Sequence, residues 1–105
     1  MTSASGALSH ERRPGVHTIT LSGALTMDSV GALHQQLKPF EPGAALILDA
    51  RGVTKADSSA LALITALMRQ AREQNMRVDL KPLPQTLYAI IQLYGLQDLL
   101  IAGEA

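Results

Sequence analysis

A run of apolar residues that leads into a polar stretch and a helix start constrains this chain more than any other feature. Leu46, Ile47 and Leu48 are consecutive apolar residues, a pattern typical of a β-strand covered on both faces. Asp49 then ends the run with a charge, and Gly52 is expected to turn a polar loop. The stretch therefore predicts a buried strand that ends in a loop.

A helix start follows the predicted loop. Asp57, Ser58 and Ser59 directly precede apolar residues at helical spacing, and short polar side chains favour helix N-termini. As the N-cap, the Ser58 hydroxyl would accept a backbone N–H and contribute about 1 kcal/mol to the helix. The core face of this helix is predicted to hold Leu61, Ile64, Leu67, Met68 and Ala71.

Strand and turn signals precede this central stretch. Residues 7–12 are a predicted edge strand, Pro14 and Gly15 a turn, and residues 16–22 a strand that Gly23 ends. One face of the second strand is predicted to comprise His17, Ile19 and Leu21, and the other Val16, Thr18, Thr20 and Ser22. Thr26 or Asp28 is then expected to cap a helix that Pro39 stops, with Val30, Leu33 and Leu37 on its apolar face.

The pattern repeats after the central helix. Residues 78–81 alternate as a short strand, Pro84 suits the first position of a last helix, and Gly95 suits its C-terminal cap. The buried stripe of this helix is predicted to be Leu87, Ile90, Ile91 and Tyr94. Apolar residues at 96–101 close the chain as a strand or a short helix.

The alternation of strands and helices predicts a single α/β domain. Its sheet is expected to be mostly parallel, with an antiparallel N-terminal edge strand and with helices packed against it. We assign the domain to residues 7–105 and a flexible N-terminus to residues 1–6.

Composition removes several classes of function. The chain has 105 residues and a formal net charge of +0, so it presents no basic field for nucleic acid or anionic lipid. It has no cysteine, which excludes disulfides and thiolate chemistry. Neither a secretory signal nor an apolar run long enough to span a membrane is recognised. We expect a cytoplasmic protein whose link to a membrane runs through a partner.

Patterns for catalysis and for cofactors are absent from the sequence. His10, His17 and His34 are scattered, and none has a second ligand at metal-binding spacing. The sequence contains neither a G-x-S-x-G elbow nor a glycine loop for phosphate. Asp49 and Asp57 are better explained as a strand-end and a helix-start aspartate than as a magnesium site. We therefore predict a protein that is not an enzyme and holds no metal or cofactor.

The central helix has an outer line with little charge. Ser58, Ala62, Thr65 and Arg69 follow one another at spacings of three and four residues. Such a small, weakly polar face suits a partner protein, although the helix propensity of alanine explains it equally well. Ser58 likewise has two interpretations, an N-cap or a hydroxyl that is phosphorylated where the helix dipole tolerates negative charge.

The central stretch resembles the core signature of STAS domains, a family that includes anti-sigma factor antagonists and the cytoplasmic domains of sulphate transporters. The resemblance lies in residues 46–61, and the element order agrees from residues 21–23 to residues 93–96. In the antagonists the serine at the position of Ser58 is phosphorylated by an anti-sigma factor kinase. The usual motif continues with glycine, where this chain has Ala60.

A narrower resemblance is to the MlaB family, the STAS subunits of bacterial phospholipid-trafficking ABC transporters that maintain outer-membrane lipid asymmetry. It rests on residues 60–63 and on residues 87–96 with Tyr88 and Tyr94. In that family the hydroxyl residue at the position of Ser58 contacts the ATPase subunit, and the domain supports assembly and activity of the ATPase. The docking surface that this resemblance implies consists of Asp57, Ser58, Ser59, Ala62, Thr65 and Arg69.

Three hypotheses of function follow. The first is a non-catalytic accessory subunit that docks on the ATPase of a phospholipid transporter, peripheral to the inner membrane through that partner. The second is an anti-sigma factor antagonist that is controlled by phosphorylation of Ser58. The third is a binder of a small ligand in a crevice at the sheet ends, for which the sequence names no ligand.

Overall fold

The computed structural model describes residues 6–95, which form a mixed four-stranded sheet and three helices. In chain order the elements are β1 (Ala7–Arg13), β2 (Val16–Leu25), α1 (Met27–His34), β3 (Ala45–Ala56), α2 (Ser58–Glu73), β4 (Arg77–Leu80) and α3 (Gln85–Leu93). The apolar segment expected at residues 96–101 lies outside the described residues. The division into residues 1–6 and 7–105 stays a prediction.

The sheet follows the order of the chain, β1-β2-β3-β4. β1 and β2 are antiparallel and are joined by a tight turn in which Gly15 has a φ of +80°. β3 is parallel to both β2 and β4, because α1 and α2 return the chain to the same end of the sheet. The predicted α/β domain, with a mostly parallel sheet and an antiparallel N-terminal edge strand, is confirmed.

The second strand does not end at Gly23 as predicted. β2 continues to Leu25, which is fully buried, and Gly23 adopts a left-handed φ of 73° within it. The pairing register with β3 shifts on both sides of this position, between Thr20 and Ser22 and again between Gly23 and Ala24. β2 nevertheless stays paired with β3 on both sides of Gly23. The glycine therefore marks an irregularity within the strand and not its end.

The loop predicted after Asp49 is also wrong. β3 runs through Asp49 and Gly52 to Ala56, because β2 provides paired positions as far as Leu25 opposite Ala56. Gly52 does not form a turn; it allows β3 to lie close to β2. A Cβ added at Gly52 would lie 3.0 Å from the Cβ of Ser22.

The apolar run of β3 is buried on one face more than on the other. Leu46 and Leu48 are fully buried, whereas Ile47 points to the opposite face and is only half-buried. The expected coverage of both faces is therefore wrong. The inward residues pack into one core with residues of β1 and β2 and of all three helices.

The first helix begins at the predicted cap but ends early. Thr26 is the N-cap of α1, and its backbone N–H donates to Ser29 Oγ at 3.0 Å. α1 stops at His34, five residues before Pro39, because the next N–H groups bond only three residues back, as from Gln36 to Leu33. Leu37 thus lies beyond the helix, although it still packs against the core.

The last helix buries only part of its predicted stripe. Leu87 and Ile91 are buried, but Tyr94 is 55% exposed. α3 ends at Leu93, so Tyr94 occupies the C-cap, and Gly95 turns the chain with a φ of 66°. Tyr94 consequently leaves the helical periodicity that predicted its burial.

Candidate functional site

Asp57 lies between the end of the long strand β3 and the first residue of α2. Asp57 has an extended backbone, and its Oδ1 accepts the backbone N–H of Ser59 at 2.8 Å. Asp57 is therefore the N-cap, and the prediction that Ser58 fills this position is wrong. An aspartate is as good a cap as a serine, and the residue that caps is the one whose backbone remains extended.

The second oxygen of the Asp57 carboxylate reaches the other helix start. Asp57 Oδ2 accepts the backbone N–H of Met27, the first residue of α1, at 3.0 Å. This hydrogen bond, together with that from Ser59, holds the pKa of the Asp57 carboxyl below its usual value. Asp57 thus joins the starts of two helices.

Ser58 is freed by this arrangement. It is the first residue of α2, it is exposed, and its hydroxyl forms no hydrogen bond with the described residues. Ser59 is half-buried beside it and contributes its backbone N–H to the cap. Among residues 6–95, the Ser58 hydroxyl is therefore exposed and not engaged in capping.

The inner face of α2 is apolar as predicted. Leu61, Ile64, Leu67, Met68 and Ala71 are all buried, and Ala60 and Leu63 join them. The helix is thereby held against the sheet in one rotational setting, which determines the residues on its outer face.

An open groove of about 680 Å³ lies along the outer side of α2. We call it the α2 groove; it is lined by Ser58, Leu61, Ala62, Thr65, Ala66, Arg69 and Tyr94. The structure therefore brings together four of the six predicted docking residues, Ser58, Ala62, Thr65 and Arg69. The other two, Asp57 and Ser59, hold the helix start instead of lining the groove.

Sequence reasoning missed Tyr94 as part of this surface. The side chain lies beside the first turn of α2 because α3 ends next to it. The sequence signal for this position was Gly95, which ends the helix. A residue directly before a helix-ending glycine lies at the C-cap, so helical periodicity no longer predicts whether it is buried. The groove thus combines residues of α2 with the residue that caps α3.

Asp49 does not approach Asp57. It lies within β3 and forms a two-point ion pair with Arg51, at 3.0 Å from Oδ1 to Nε and 2.8 Å from Oδ2 to Nη2. The hydrogen bonds of the Arg51 side chain lower the pKa of the Asp49 carboxyl. Asp57 is the predicted helix-start aspartate, but Asp49 is not at a strand end. In residues 6–95, no group of three or more histidine or acidic side chains is arranged to hold a metal ion.

Two of the histidines meet, contrary to the prediction that they are scattered. His10 on β1 and His17 on β2 are buried diagonal neighbours, with 3.1 Å between His10 Nε2 and His17 Nδ1. The backbone N–H of Lys38 donates to His10 Nδ1 at 3.0 Å, so a neutral His10 carries its proton on Nε2 and donates to His17. In the matching neutral tautomer of His17, Nε2 carries the proton; this atom is buried without a hydrogen-bond partner among the described residues, and Glu41 Oε1 lies 3.6 Å from it.

The environment of His10 opposes protonation. Burial lowers the pKa of His10 first, and the nearby His17, Lys38 and Arg12 lower it further, to about 4. The pair lies near the start of β3, where His17 is paired with Leu46, and thus at the end of the sheet opposite to Asp57 and Ser58. The pair joins β1 to β2 within the fold and does not line the α2 groove.

Comparison with known proteins covers nearly the whole described domain. A family model described as Mlab, STAS domain, matches residues 8–102. A search of curated proteins returned no match. None of the described helices is long and apolar enough to cross a membrane.

Proposed function

The chain belongs to the STAS domain family of the MlaB type, and from this premise we propose that it is a non-catalytic accessory subunit that docks on the ATPase of a phospholipid-transport ABC system. In that role it supports the assembly and activity of the ATPase, and the transporter maintains outer-membrane lipid asymmetry. The domain is cytoplasmic and lies at the inner membrane through its partner.

The free Ser58 hydroxyl at the head of the α2 groove carries this proposal. Asp57 accepts the N–H of Ser59 at the start of α2, so Ser58 is not needed as the cap. Ser58 is exposed and lies beside an apolar groove. Apolar surface rimmed by polar groups is typical of protein–protein contacts. Ser58, Ala62, Thr65 and Arg69 are the residues on which the partner lies, and Asp57 and Ser59 keep the helix start in place beneath it.

Co-purification with Ser58→Asp tests this function. A tagged wild-type domain is expected to retain an ABC ATPase, and Ser58→Asp is expected to retain at least about tenfold less, because a carboxylate would be buried in the contact without a partner. Ser9→Asp on β1 is the matched control, since Ser9 is exposed and lies away from the groove. Its retention should equal that of the wild type.

Two results contradict the docking function. One is a wild-type domain that retains no ATPase, and the other is a Ser58→Asp complex as stable as the wild type. Melting curves of the free variants show whether each remains folded, so a loss of retention is not confused with unfolding.

The exposed Ser58 hydroxyl also favours a second function, that of an anti-sigma factor antagonist. A kinase can reach this hydroxyl, and phosphate at the first residue of α2 would lie near the positive end of the helix dipole. Incubation with a co-expressed anti-sigma factor kinase and ATP should then phosphorylate the wild type but not Ser58→Ala. Phosphorylation without any retained ATPase would favour this function over docking.

A further inference from the structure

The α2 groove has two chemically different ends. Near Ser58 its surface is apolar, with Leu61 as a buried floor, Ala62 on the helix and the half-exposed ring of Tyr94 opposite. Toward the end of α2 it becomes basic, because Arg69 lines the groove and Arg72 lies beside it along a continuing depression. A partner that fits the groove must match both ends.

Arg69 and Arg72 are exposed, and neither forms an ion pair with another residue in the range 6–95. Glu73 lines the same depression without forming an ion pair with either arginine, so the charges of these three residues sum to a net positive value. Other surface charges do find partners, as Lys81 does with Asp79 at 3.2 Å. The basic end of the groove is thus charge-complementary to an acidic partner group.

The apolar end admits a helix in particular. Ala62 and Ala66 have small side chains, and a stripe of small residues allows a second helix to approach near the lower end of the usual range of about 8–10 Å between axes. The α-carbons of Ala62 and Arg69 are about 10 Å apart along α2 at 1.5 Å per residue. An occupant with an apolar anchor at Ala62 would therefore place its charged group about two helical turns away.

We propose that the ATPase contacts the α2 groove with an amphipathic helix, whose apolar side chains pack on Ala62 and Tyr94 and whose carboxylate, about two turns farther on, pairs with Arg69 and Arg72. This inference rests on the proposed docking function. A membrane surface is the less suitable occupant, because recognition of anionic lipid takes clusters of about four to eight basic residues and this patch has two.

Charge reversal tests the carboxylate. Arg69→Glu is expected to weaken the affinity for the purified ATPase by roughly tenfold or more, since two carboxylates would face each other. Arg77→Glu is the matched control, because Arg77 is an exposed arginine on β4, away from the groove. The wild-type affinity should fall with rising salt, and that of Arg69→Glu should not.

Two further variants, Arg69→Ala and a lysine substitution on the ATPase helix, distinguish loss of the ion pair from charge repulsion and from misfolding. Arg69→Ala should weaken binding by a smaller factor than Arg69→Glu, with a melting temperature close to that of the wild type. Replacing the contacting carboxylate of the ATPase helix with lysine should restore binding to Arg69→Glu and weaken binding to the wild type. Restoration by this swap is the specific sign of the proposed pair.

The outcomes distinguish this inference from the docking function. If the wild type binds the ATPase and the double variant Arg69→Glu/Arg72→Glu binds it equally well, the docking function stands. The proposed pairing of a helix carboxylate with the two arginines is then wrong. If the wild type binds no ATPase, both are wrong. If the wild type instead binds phosphatidylserine vesicles and Arg69→Glu does not, the arginines serve a membrane surface and the inference is overturned.

Discussion

At the scale of single residues, Asp57 decides how the candidate site is built. One of its oxygens caps α2 and the other accepts the first N–H of α1. The carboxylate thereby satisfies unpaired donors at two helix starts, which are favourable positions for negative charge. Because Asp57 caps α2, the neighbouring Ser58 is not needed as the cap, and its hydroxyl forms no hydrogen bond with the described residues.

We predict that Asp57→Ala lowers the melting temperature by about 5 °C at neutral pH, the usual effect of losing a helix cap in a domain of this size. The pKa of Asp57 is lowered in the folded protein, so its contribution is present above the ordinary pKa of 3.8 and is lost as pH falls through the folded value. The difference between variant and wild type should therefore vanish in acid. Asp28→Ala, an exposed aspartate in the first turn of α1, serves as the control.

The His10–His17 pair predicts a sensitivity to acid. The pKa of His10 is lowered from 6.5 to about 4, so the folded state binds fewer protons than the unfolded chain in this interval. This contribution should be fully present well above pH 6.5 and should decline by about 3 kcal/mol as pH falls to 4. Urea unfolding at a series of pH values measures this decline.

His10→Gln isolates the source of that decline. Without the imidazole, the fall in the free energy of unfolding between neutral pH and pH 4 should become shallower. His34→Gln is the matched control, because His34 is exposed at the end of α1 and lies outside the buried histidine pair. An identical profile for all three proteins would contradict the assignment to His10.

At the scale of elements, β3 positions the site. The strand extends for 12 residues without a loop and delivers Asp57 to the start of α2. Its register with β2 shifts around Gly52, where the two backbones approach closely. The location of α2 and of its groove thus depends on an irregularity in the sheet.

Gly52→Val should therefore lower the free energy of unfolding by about 1–3 kcal/mol, because its side chain would press on Ser22. Thr54→Val is the control on the same strand, since Thr54 is exposed and surface changes of this kind usually stay within about 0.5 kcal/mol. Denaturant unfolding of both variants measures the difference. Equal stability would show that the strands separate at Gly52 without cost.

At the scale of the whole molecule, the Ser58 end of the candidate docking surface and the histidine pair lie at opposite ends of the sheet. His17 is paired with Leu46 near the start of β3, whereas Asp57 follows its end, a separation of roughly 35 Å at about 3.3 Å per strand residue. α2 then runs back along the sheet, and its far end lies near the start of β3, where Gln74 accepts the backbone N–H of Gly43. We expect protonation of His10 to act on the stability of the domain. The molecule as a whole has a net charge of +0, so we expect the proposed partner to be recognised by local complementarity at the groove and not by a long-range field.

Local patterns in the sequence determined the elements and their order. Apolar alternation placed β2, helical spacing identified the core face of α2 from Leu61 to Ala71, and polar residues at 57–59 marked the helix start. These features depend on neighbours within a few residues, which is the range that periodicity and capping describe. The family resemblance through residues 46–61 was visible for the same reason.

Tertiary structure alone decided how those elements meet. β3 continues past Asp49 because β2 pairs with it, and His10 finds His17 because two strands fold together. Asp57 caps α2 with one oxygen, and its other oxygen accepts the N–H of Met27, 30 residues earlier in the chain. Hydrogen bonds and packing between distant segments have no periodic signature in sequence, so the free Ser58 hydroxyl and the α2 groove became visible only when the chain was folded.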